Sequence, residues 1–396
     1  MTQPFINFVF DKIVAGKPVE NLASVPGSSH CRLVDYMTAC HLPHAIVPTS
    51  AVLTVPADTV LVYPIWIDTF DFNVDYVARV PDAIHDLAAL DRAKIAIYYT
   101  EIIDSDAAAD LLEVALNWID EYPYLAGNLK IFVHNAKMFD IGPFIFWCPT
   151  ELDVWYTASQ LDKRNKQEWP ATVDYAPRKY LLNAQIHGDT VQERLVASTL
   201  WQHGAYNNSI VNYKNIDLAK QYYNTPVSEW EEDFSESDVV IAQYMCNYPL
   251  LTVPNANPNT DAYWRVIVDE HFFDDTEHLP AQIFESMLHL QPFIYAGTQD
   301  SMKILDMLGY KTLHGYIDES ADEIAEDEER MACALSEVFV QLHATHADHV
   351  SSLAAMAPIL EHNQQLLLAD KTPRLLEIIE LTLDSVYDGE EIPAAR

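Results

Sequence analysis

Positive charge is scarce in this sequence, and that shortage excludes two classes of partner. The 396 residues include 23 Lys and Arg against 59 Asp and Glu, which gives a formal net charge of −36 at pH 7. The acidic residues are spread along the chain. A field of this sign repels nucleic-acid backbones and anionic lipid. We therefore expect no direct nucleic-acid binding and no membrane partner, and a polyanionic ligand would need a local basic pocket. A salty habitat or a crowded acidic surface would also account for the charge.

Cysteine is sparse, and long apolar runs are missing. The five Cys residues contain no CxxC pair, which predicts reduced thiols in a reducing compartment and no disulfide framework. The opening MTQPFINFVFDKIVAG has no basic segment followed by an apolar run, so it does not read as a secretory signal. No stretch has the length that a membrane span needs. We expect a soluble protein of the cytoplasm, which is the host cytoplasm if the chain is viral, or of a virion.

Apolar residues are plentiful, and in the first half they alternate between strand and helix patterns. The runs DTVLVYPIW (58–66), KIAIYYTE (94–101), LKIFVHNAK (129–137) and GPFIFWCPT (142–150) are bounded by turn signals, as buried strands are. Between the second and third lies DSDAAADLLEVALNWIDEY, which has helical periodicity and an acidic first turn. This alternation predicts a parallel sheet with helices on both faces.

The second half repeats the alternation after a polar segment, residues 160–179, which we interpret as a linker. KYLLNA, SIVNYK, RVIVDE and PFIYAG are the predicted strands, and Gly309 is the expected left-handed terminator of the helix after the last of them. From about residue 318 the pattern is helical. The predicted fold class is α/β, with two doubly wound Rossmann-like domains and a helical C-terminal extension. The predicted domains are residues 1–170, 171–318 and 319–396.

Three stretches of the second half carry a resemblance to a known family. They are KYLLNAQIHGDTVQERL, VIVDEHFFDD with LPAQIFESMLHLQPFI, and GTQDSMKILDMLGYKTLHGYIDES. Over residues 179–320 the chain resembles glycosyltransferase-like proteins of the two-Rossmann-domain (GT-B) type, common in marine bacteriophages and large viruses. The resemblance implies an acceptor-side first domain and a donor-side second domain. It also implies sugar transfer from a nucleotide sugar, with ligands in the cleft between the domains.

The donor region departs from the family pattern. Asn183 is kept and Arg194 fits the last arginine of a helix, but neutral or acidic residues stand near the other expected arginines. A Thr-Glu-Lys position reads Pro280, Ala281 and Gln282, and a further basic position reads Glu285. In the family a carboxylate here holds the donor ribose and basic residues hold the diphosphate. By resemblance, this chain has lost both.

Donor-binding candidates are Asn183, Arg194, Gly297 and Thr298. Asn183 is expected to close a strand at the cleft, with Arg194 a few residues into the next helix; the alternative is a cap and a surface ion pair. Gly297 and Thr298 stand where a strand meets a helix, so their N–H groups would face a phosphate. The alternative is structural: Gly297 permits a tight turn and Thr298 caps the helix.

Catalytic and acceptor candidates also follow predicted strands. Glu270 is the catalytic candidate, as a base or as a ligand of a sugar hydroxyl, against a simple loop carboxylate. His134 and Asn135 follow LKIFV and are the acceptor-binding candidates. We predict no metal site, because Asp104–Asp106 reads as a helix start and the histidines of HATHADH as a polar helix face. No cofactor is expected beyond the nucleotide-sugar substrate.

Two hypotheses of different class follow. The first is an enzyme that transfers a sugar from a nucleotide-sugar donor to an unidentified acceptor. The second is a catalytically degenerate glycosyltransferase fold that serves as a binding or virion structural protein, alone or as a homo-oligomer. The substitutions at Pro280, Ala281, Gln282 and Glu285 favour the second, whereas Asn183, Arg194 and Glu270 favour the first. A nucleic-acid mimic is a third idea that rests on charge alone.

Overall fold

The chain folds into two compact units. The computed structural model describes residues 6–14, 17–19, 21, 32–67, 70–99, 105–136, 144–165, 169–186, 190–205, 208–213, 257, 259–274 and 276–383. The first unit comprises Met1–Tyr156 and Asp370–Arg396, and the second comprises Thr157–Ala369. Within the described residues, the segment Asp370–Leu383 thus belongs to the first unit, and the predicted domain boundaries stay a prediction.

The first unit is built on a six-stranded parallel sheet. Its strands are β1 (Ile6–Phe10), β4 (His44–Pro48), β5 (Leu61–Ile67), β6 (Ala93–Tyr99), β7 (Leu129–Val133) and β8 (Ile145–Trp147), in the order β4-β1-β5-β6-β7-β8. A small hairpin, β2 (Ile13–Val14) and β3 (Lys17–Pro18), follows β1. The helices of this unit are α1 (Arg32–Ala39), α2 (Asp82–Ala88) and α3 (Ser105–Glu121), and α4 (Glu151–Asn165) begins in this unit and continues into the second.

Both faces of this sheet are covered, which explains why every residue of its central strands β5, β6 and β7 is buried. On one face, side chains of β5, β6 and β7 pack with residues of α2 and α3 in a single core cluster. On the other face Trp66, Tyr98, Phe132 and Phe146 stand side by side on four neighbouring strands, with ring centroids 5.6, 4.7 and 5.6 Å apart. The C-terminal helix of the described chain (Thr372–Leu383) packs against β6 and α1.

The second unit has a four-stranded parallel sheet. Its strands are β9 (Tyr180–Ile186), β10 (Ile210–Tyr213), β11 (Ala262–Val268) and β12 (Phe293–Ala296), in the order β10-β9-β11-β12. Its helices are α5 (Val191–Gln202), α6 (Ala281–Leu288), α7 (Ser301–Met307), α8 (Asp327–His343) and α9 (His346–Leu368), so Thr372–Leu383 is α10. The helix α8 packs against β12 and β9, and α9 packs against α6.

The two sheets share one winding pattern. Apart from the small hairpin, the first strand of each unit lies between the second and the third, so the chain leaves it in opposite directions. A doubly wound sheet has a crevice at this reversal, outside the carboxyl ends of the two diverging strands. The crevices lie between β1 and β5 in the first unit and between β9 and β11 in the second. The predicted α/β fold class, with two doubly wound units and C-terminal helices, is confirmed.

Two further expectations concern helices. Gly309 follows α7 with a φ of 87°, the left-handed conformation predicted for it. Among the helices of the described residues, none is long and apolar enough to cross a bilayer.

Candidate functional site

The crevice of the second sheet is bridged by one glutamine side chain. Gln192 lies in the first turn of α5, which follows β9, and its Nε2 donates to the backbone oxygens of Asp269 and Glu270. Both acceptors directly follow β11, so the bond spans the two strands that flank the reversal. Gln192 is buried, which makes this bridge part of the fold. The crevice therefore has a fixed wall.

Asp269 is the centre of a buried polar network beside this bridge. His278 Nε2 lies 3.0 Å from Asp269 Oδ2, the Tyr295 hydroxyl donates to the same oxygen, and the His271 backbone N–H donates to Oδ1 at 2.9 Å. Burial by itself would raise the pKa of Asp269, but the His278 imidazole, the Tyr295 hydroxyl and the His271 N–H outweigh it and hold that pKa below its ordinary value. Asp269 is thus a fixed carboxylate.

Glu270, the predicted catalytic residue, is the exposed neighbour of this network. Its side chain is 71% exposed, and its carboxylate lies 3.7 Å from His271 Nε2. Strand β11 ends at Val268, two residues before Glu270. Glu270 therefore stands at the predicted sheet edge with its carboxylate open to solvent, and its role stays a prediction.

Asn183 lies elsewhere than predicted. It is the fourth residue of β9, pairs with Ile210 and Arg265 on the neighbouring strands, and is fully buried. Its Oδ1 accepts from Gln185 Nε2 at 2.6 Å. The prediction that Asn183 closes the strand is corrected: β9 continues to Ile186, so the side chain is inside the sheet layer.

Gly297 is required for a steric reason. It follows β12, and a Cβ built on it would lie 1.8 Å from Cζ and 2.1 Å from the hydroxyl oxygen of Tyr295. No side chain larger than hydrogen fits between this backbone and the ring that bonds Asp269. Gly297 thus supports the Asp269 network by letting Tyr295 fold back over the turn.

Thr298 is buried inside the same turn. Its Oγ1 lies 2.7 Å from Ser301 Oγ, and Ser301 Oγ donates to the Thr298 carbonyl at 3.0 Å. The N-cap position of α7 is taken by Asp300, in a left-handed conformation with a φ of 63°, so the alternative that Thr298 caps the helix is corrected. Burial of Thr298 at 1% exposure leaves its hydroxyl facing protein atoms.

Arg330 is a buried cation of the second unit, on α8. Its five N–H groups have five acceptors: the carbonyls of Gly297, Phe272, Ile324 and Ala325, and the Asp327 carboxylate. The guanidinium also lies over the Phe272 ring at 4.6 Å. Arg330 therefore ties the turn after β12 to the turn after β11, and its donors are spent on that connection.

A small cavity of about 30 Å³ lies beside Arg330, lined among others by Thr298, Glu319 and Asp322. It is large enough to hold water. Burial raises the pKa of Asp322 to about 6, although Met302 N–H donates to its carboxylate at 3.0 Å. The neighbouring carboxylates of Asp300 and Glu319 contribute to the same rise in pKa.

We expect Asp322→Asn to stabilise the protein at pH 8 by on the order of 1 kcal/mol and to have no effect at pH 4. The folded pKa of about 6 lies above the unfolded value, so the ionised carboxylate costs stability at high pH, and this cost disappears as pH falls. The asparagine Oδ1 still accepts from Met302 N–H. Urea denaturation at both pH values measures the effect.

The matched control is Asp318→Asn, on the same loop. There the Ser320 hydroxyl and N–H lower the pKa of Asp318, so this substitution is expected to cost stability at pH 8. An equal loss from Asp322→Asn at both pH values would contradict the burial argument.

The N-terminus of α5, where an anionic donor group is expected by resemblance, is occupied by the chain itself. Glu193 Oε2 accepts from Thr190 N–H at 3.2 Å and from Thr190 Oγ1 at 2.9 Å, and Thr190 Oγ1 lies 3.4 Å from Glu193 N. This is a capping box, and it places a carboxylate at the positive end of the helix dipole. Arg194 lies on α5, but its side chain is outside the described residues.

The substituted family positions on α6 also have structural roles. Pro280 is the N-cap residue of α6, and Glu285 Oε2 accepts from Arg265 Nη2 at 2.9 Å. Arg265 is buried on β11, so Glu285 neutralises a cation of the sheet. Within the described part of the second unit, these positions supply no cation to the crevice.

The carboxyl edge of the first sheet carries a second polar cluster. His134 and Asn135 directly follow β7 and are buried, at 7% and 1% exposure, so the predicted acceptor residues lie at a strand end as expected. The Cys148 carbonyl, which directly follows β8, accepts from His134 Nδ1 at 2.6 Å. A carbonyl only accepts, so Nδ1 carries the proton and Nε2 faces the other way.

Asp153 completes this cluster from the first turn of α4. Its Oδ2 lies 3.9 Å from His134 Nε2, and its Oδ1 accepts from the Arg32 guanidinium and the Tyr36 hydroxyl, both on α1. Burial, and after it the Asp153 carboxylate, raises the pKa of Tyr36 well above its ordinary value, so Tyr36 remains a donor. Arg32 also lies over Trp66 at 5.9 Å and is 46% exposed.

The sequence does not identify most of these residues. Asp269 is the sequence neighbour of Glu270, the predicted catalytic residue. Only the position at which β11 ends shows which of the two carboxylates is buried and which is exposed. Asp153 sits in the first turn of a helix, where a carboxylate is ordinary. The residues that approach these two carboxylates from other elements have no sequence signal: His278, Tyr295, Arg330, Arg32 and Tyr36.

The described residues include no group of His, Cys, Asp and Glu arranged to hold a metal. The sequence suggested that the three histidines of HATHADH lie on one helix, but they are divided between two helices. His343 ends α8, Thr345 caps α9 and His346 begins it. His349 is buried and accepts from Trp264 Nε1 at 3.1 Å, so it serves the core of the second unit.

The comparisons with known proteins find similarity only among solved structures. No family model matches this chain, and the search of curated proteins finds no match. A T4 phage BGT mutant in complex with UDP-glucose is 12% identical with a TM-score of 0.39, over 96% of this chain and 100% of that chain. A UDP-forming α,α-trehalose-phosphate synthase from Burkholderia vietnamiensis is 12% identical with a TM-score of 0.35, over 87% and 76% of the respective chains. The fold class therefore rests on the strand order of the two sheets.

Proposed function

We propose that this chain transfers a sugar from a nucleotide-sugar donor to the hydroxyl group of an acceptor. The donor binds at the crevice of the second sheet, and the acceptor binds at the carboxyl edge of the first. The observation that carries the proposal is the fixed crevice: Gln192 joins α5 to the Asp269–Glu270 turn across the reversal of a doubly wound sheet. Ligands of such sheets bind at this place.

Some residues of the crevice hold its backbone in place, and others are proposed to contact the donor. Asp269, His278 and Tyr295 are buried or bonded to one another, so they hold the turn in place. Glu270 is exposed beside them and is the group that accepts a hydroxyl of the donor ribose or sugar. In this proposal Arg194, a residue of α5, binds the donor phosphates. Positioning and charge stabilisation supply most of the rate in such a reaction.

A second candidate is a binding protein of the same fold without transfer activity. Two observations favour it: Glu193 occupies the anion-binding end of α5, and every N–H group of Arg330 is bonded within the protein. The diphosphate of a nucleotide sugar carries about two negative charges that need local cations. If Arg194 alone supplies them, the donor site is weak in a protein with a net charge of −36.

Thermal unfolding with UDP, GDP, ADP and CMP sugars separates the two candidates. A donor at a hundred times its dissociation constant is expected to stabilise the folded chain by about 2.7 kcal/mol. Glu270→Gln and Arg194→Ala are expected to reduce that shift for the same donor. The control is Glu328→Gln, an exposed carboxylate in the first turn of α8. No shift with any nucleotide sugar would reject donor binding and leave the second candidate.

A further inference from the structure

His271 lies directly beside Glu270 and is held in one orientation. Its Nδ1 lies 2.7 Å from Asp274 Oδ2, and its backbone N–H donates to Asp269 Oδ1 at 2.9 Å. A carboxylate accepts hydrogen bonds, so Nδ1 carries the proton of the neutral imidazole and Nε2 carries its lone pair. The turn after β11 therefore fixes both the position of this imidazole and the direction that Nε2 faces.

Nε2 of His271 faces the carboxylate of Glu270. The distance from Nε2 to Glu270 Oε1 is 3.7 Å, which is longer than a hydrogen bond. A neutral imidazole offers only a lone pair at this nitrogen, so it does not attract the carboxylate. An imidazolium offers an N–H there, and the exposed Glu270 side chain needs to move by less than about 1 Å to accept from it. The protonation of His271 thus decides whether Glu270 is bonded to the turn.

The other groups around His271 are bonded to one another. The His278 ring meets the His271 ring edge-on, with centroids 5.3 Å apart, and its Nε2 lies 3.0 Å from Asp269. From β12 the Tyr295 hydroxyl donates to the same carboxylate, and from α8 Arg330 donates to backbone carbonyls. The described charged and titratable groups that contact this turn are Asp269, Glu270, Asp274, His278, Tyr295 and Arg330. Among the carboxylates of the described residues, that of Glu270 lies within 4 Å of His271 Nε2.

We propose that His271 is a positioning residue of the donor site, which controls whether Glu270 is available to the donor. The neutral imidazole leaves the Glu270 carboxylate open to a hydroxyl of the donor ribose or sugar. The imidazolium donates from Nε2 to Glu270 and holds that carboxylate against the turn. This inference rests on the proposed function, in which Glu270 contacts the donor. Donor binding is then weaker in acid than at neutral pH.

The direction of the pH effect distinguishes this role from the opposite one. A positive charge near the crevice would also attract a diphosphate, and binding would then be tighter in acid. The imidazole lies between the carboxylates of Asp274 and Glu270, at 2.7 and 3.7 Å, so its positive charge is directed at them. We therefore expect the loss of Glu270 to outweigh the attraction.

Donor affinity at two pH values tests the assignment. The probe is the nucleotide sugar that gives the largest thermal shift, and calorimetry with the full chain measures its dissociation constant. The two values are about pH 8 and about pH 5.5, a range in which histidine ordinarily changes its charge whereas the diphosphate of a nucleotide sugar does not. We expect about threefold weaker binding at the lower pH, because the donor must replace an exposed ion pair.

His271→Gln is the test variant. Glutamine retains an N–H donor for Asp274 and has no charge at either pH, so the donor affinity should be the same at both and equal to that of wild type at the higher pH. His343→Gln, at the exposed last residue of α8, is the matched control and should keep the wild-type pH dependence.

Asp274→Asn is the second variant, and it retains the imidazole. It removes a carboxylate that stabilises the imidazolium, so binding should weaken only at a lower pH than in wild type. Asp274 is 39% exposed, which makes this change mild for the fold. It decides the matter if His271→Gln fails to fold.

The contact is also measurable without a donor. NMR of the donor-free chain at the lower pH should detect a proton on His271 Nε2. Glu270→Ala should speed the exchange of this proton with water about threefold or more, because its acceptor is lost. An unchanged exchange rate overturns the contact.

The outcomes separate this inference from the proposed function. Equal wild-type affinity at both pH values, tighter binding in acid, or wild-type pH dependence in His271→Gln overturns the role of His271 and leaves donor binding standing. A chain that binds no nucleotide sugar at either pH overturns the proposed function, and the exchange experiment then still decides whether His271 holds Glu270.

Discussion

Gly297→Ala is expected to destabilise the second unit by about 3 kcal/mol or more, because the added methyl group has no room. Its Cβ would lie 1.8 Å from Cζ of Tyr295, well inside the contact distance of two carbon atoms. Relief requires either the turn after β12 or the Tyr295 ring to move. Movement of the ring breaks its bond to Asp269, and movement of the turn breaks the bond from Arg330 to the Gly297 carbonyl.

The measurement is the free energy of unfolding of the full chain by urea denaturation. Gly127→Ala is the matched control, because a Cβ at Gly127 meets nothing within 4 Å. That control is expected to change stability by no more than about 0.5 kcal/mol.

A double-mutant cycle identifies the clash as the cause. In a Tyr295→Ala background the ring is absent, so the further change Gly297→Ala should cost little, and the two effects should be strongly non-additive. Additive effects would show that Gly297 is needed for another reason, such as contact of its N–H with a ligand. Loss of donor-induced stabilisation without loss of stability would point the same way.

The fold was predictable where the strands are long and buried. Strands β5, β6, β7 and β11 consist mainly of apolar residues and are buried almost throughout, and that pattern is visible in the sequence. The segment 160–179 was less clear. Its polar composition predicted a linker, yet α4 extends to Asn165, because a helix is compatible with a mainly polar stretch.

The sequence predicted at which edge of the sheet the candidate site lies, but not which side chains are buried there and which are exposed. Successive residues near a strand end point to opposite sides, so an error of one or two residues in the extent of β11 exchanges a buried carboxylate for an exposed one. Asp269 and Glu270 show this directly. The same holds for β9, where three residues beyond Asn183 continue the strand and remove that side chain from the edge.

The partners of the two central carboxylates could not be predicted from spacing. Tyr295 reaches Asp269 across 26 positions, and Tyr36 reaches Asp153 across 117. Only the order of the strands brings these segments together. The function therefore depends on tertiary contacts more than on any short motif of this sequence.

The free energy of unfolding is expected to rise with salt, by on the order of 5 kcal/mol between 0.05 and 1 M KCl. The net charge of −36 is confined in the folded chain and spread out in the unfolded one, so repulsion penalises the folded state. Salt shortens the Debye length from about 14 Å to about 3 Å over this range and screens most of that repulsion. Urea denaturation at constant pH measures the effect.

Helix α3 offers a local variant of the same test. Asp106, Asp110 and Glu113 are exposed at spacings of four and three residues, so their like charges face one another. Asp110→Lys turns both repulsions into attractions and is expected to stabilise the chain by about 0.5–1 kcal/mol at 0.05 M KCl, and by less at 1 M. Asp110→Asn should give an intermediate gain.

The kind of salt distinguishes screening from specific binding. Screening depends on ionic strength, so KCl and tetramethylammonium chloride should stabilise the chain equally, whereas a bound K⁺ would favour KCl alone. Sucrose at matched osmolality controls for solvent exclusion. Stability that stays flat or falls with KCl would mean that the carboxylates are already compensated in the fold. In that case the charge would no longer weaken an anionic donor site, and the strongest objection to sugar transfer would disappear.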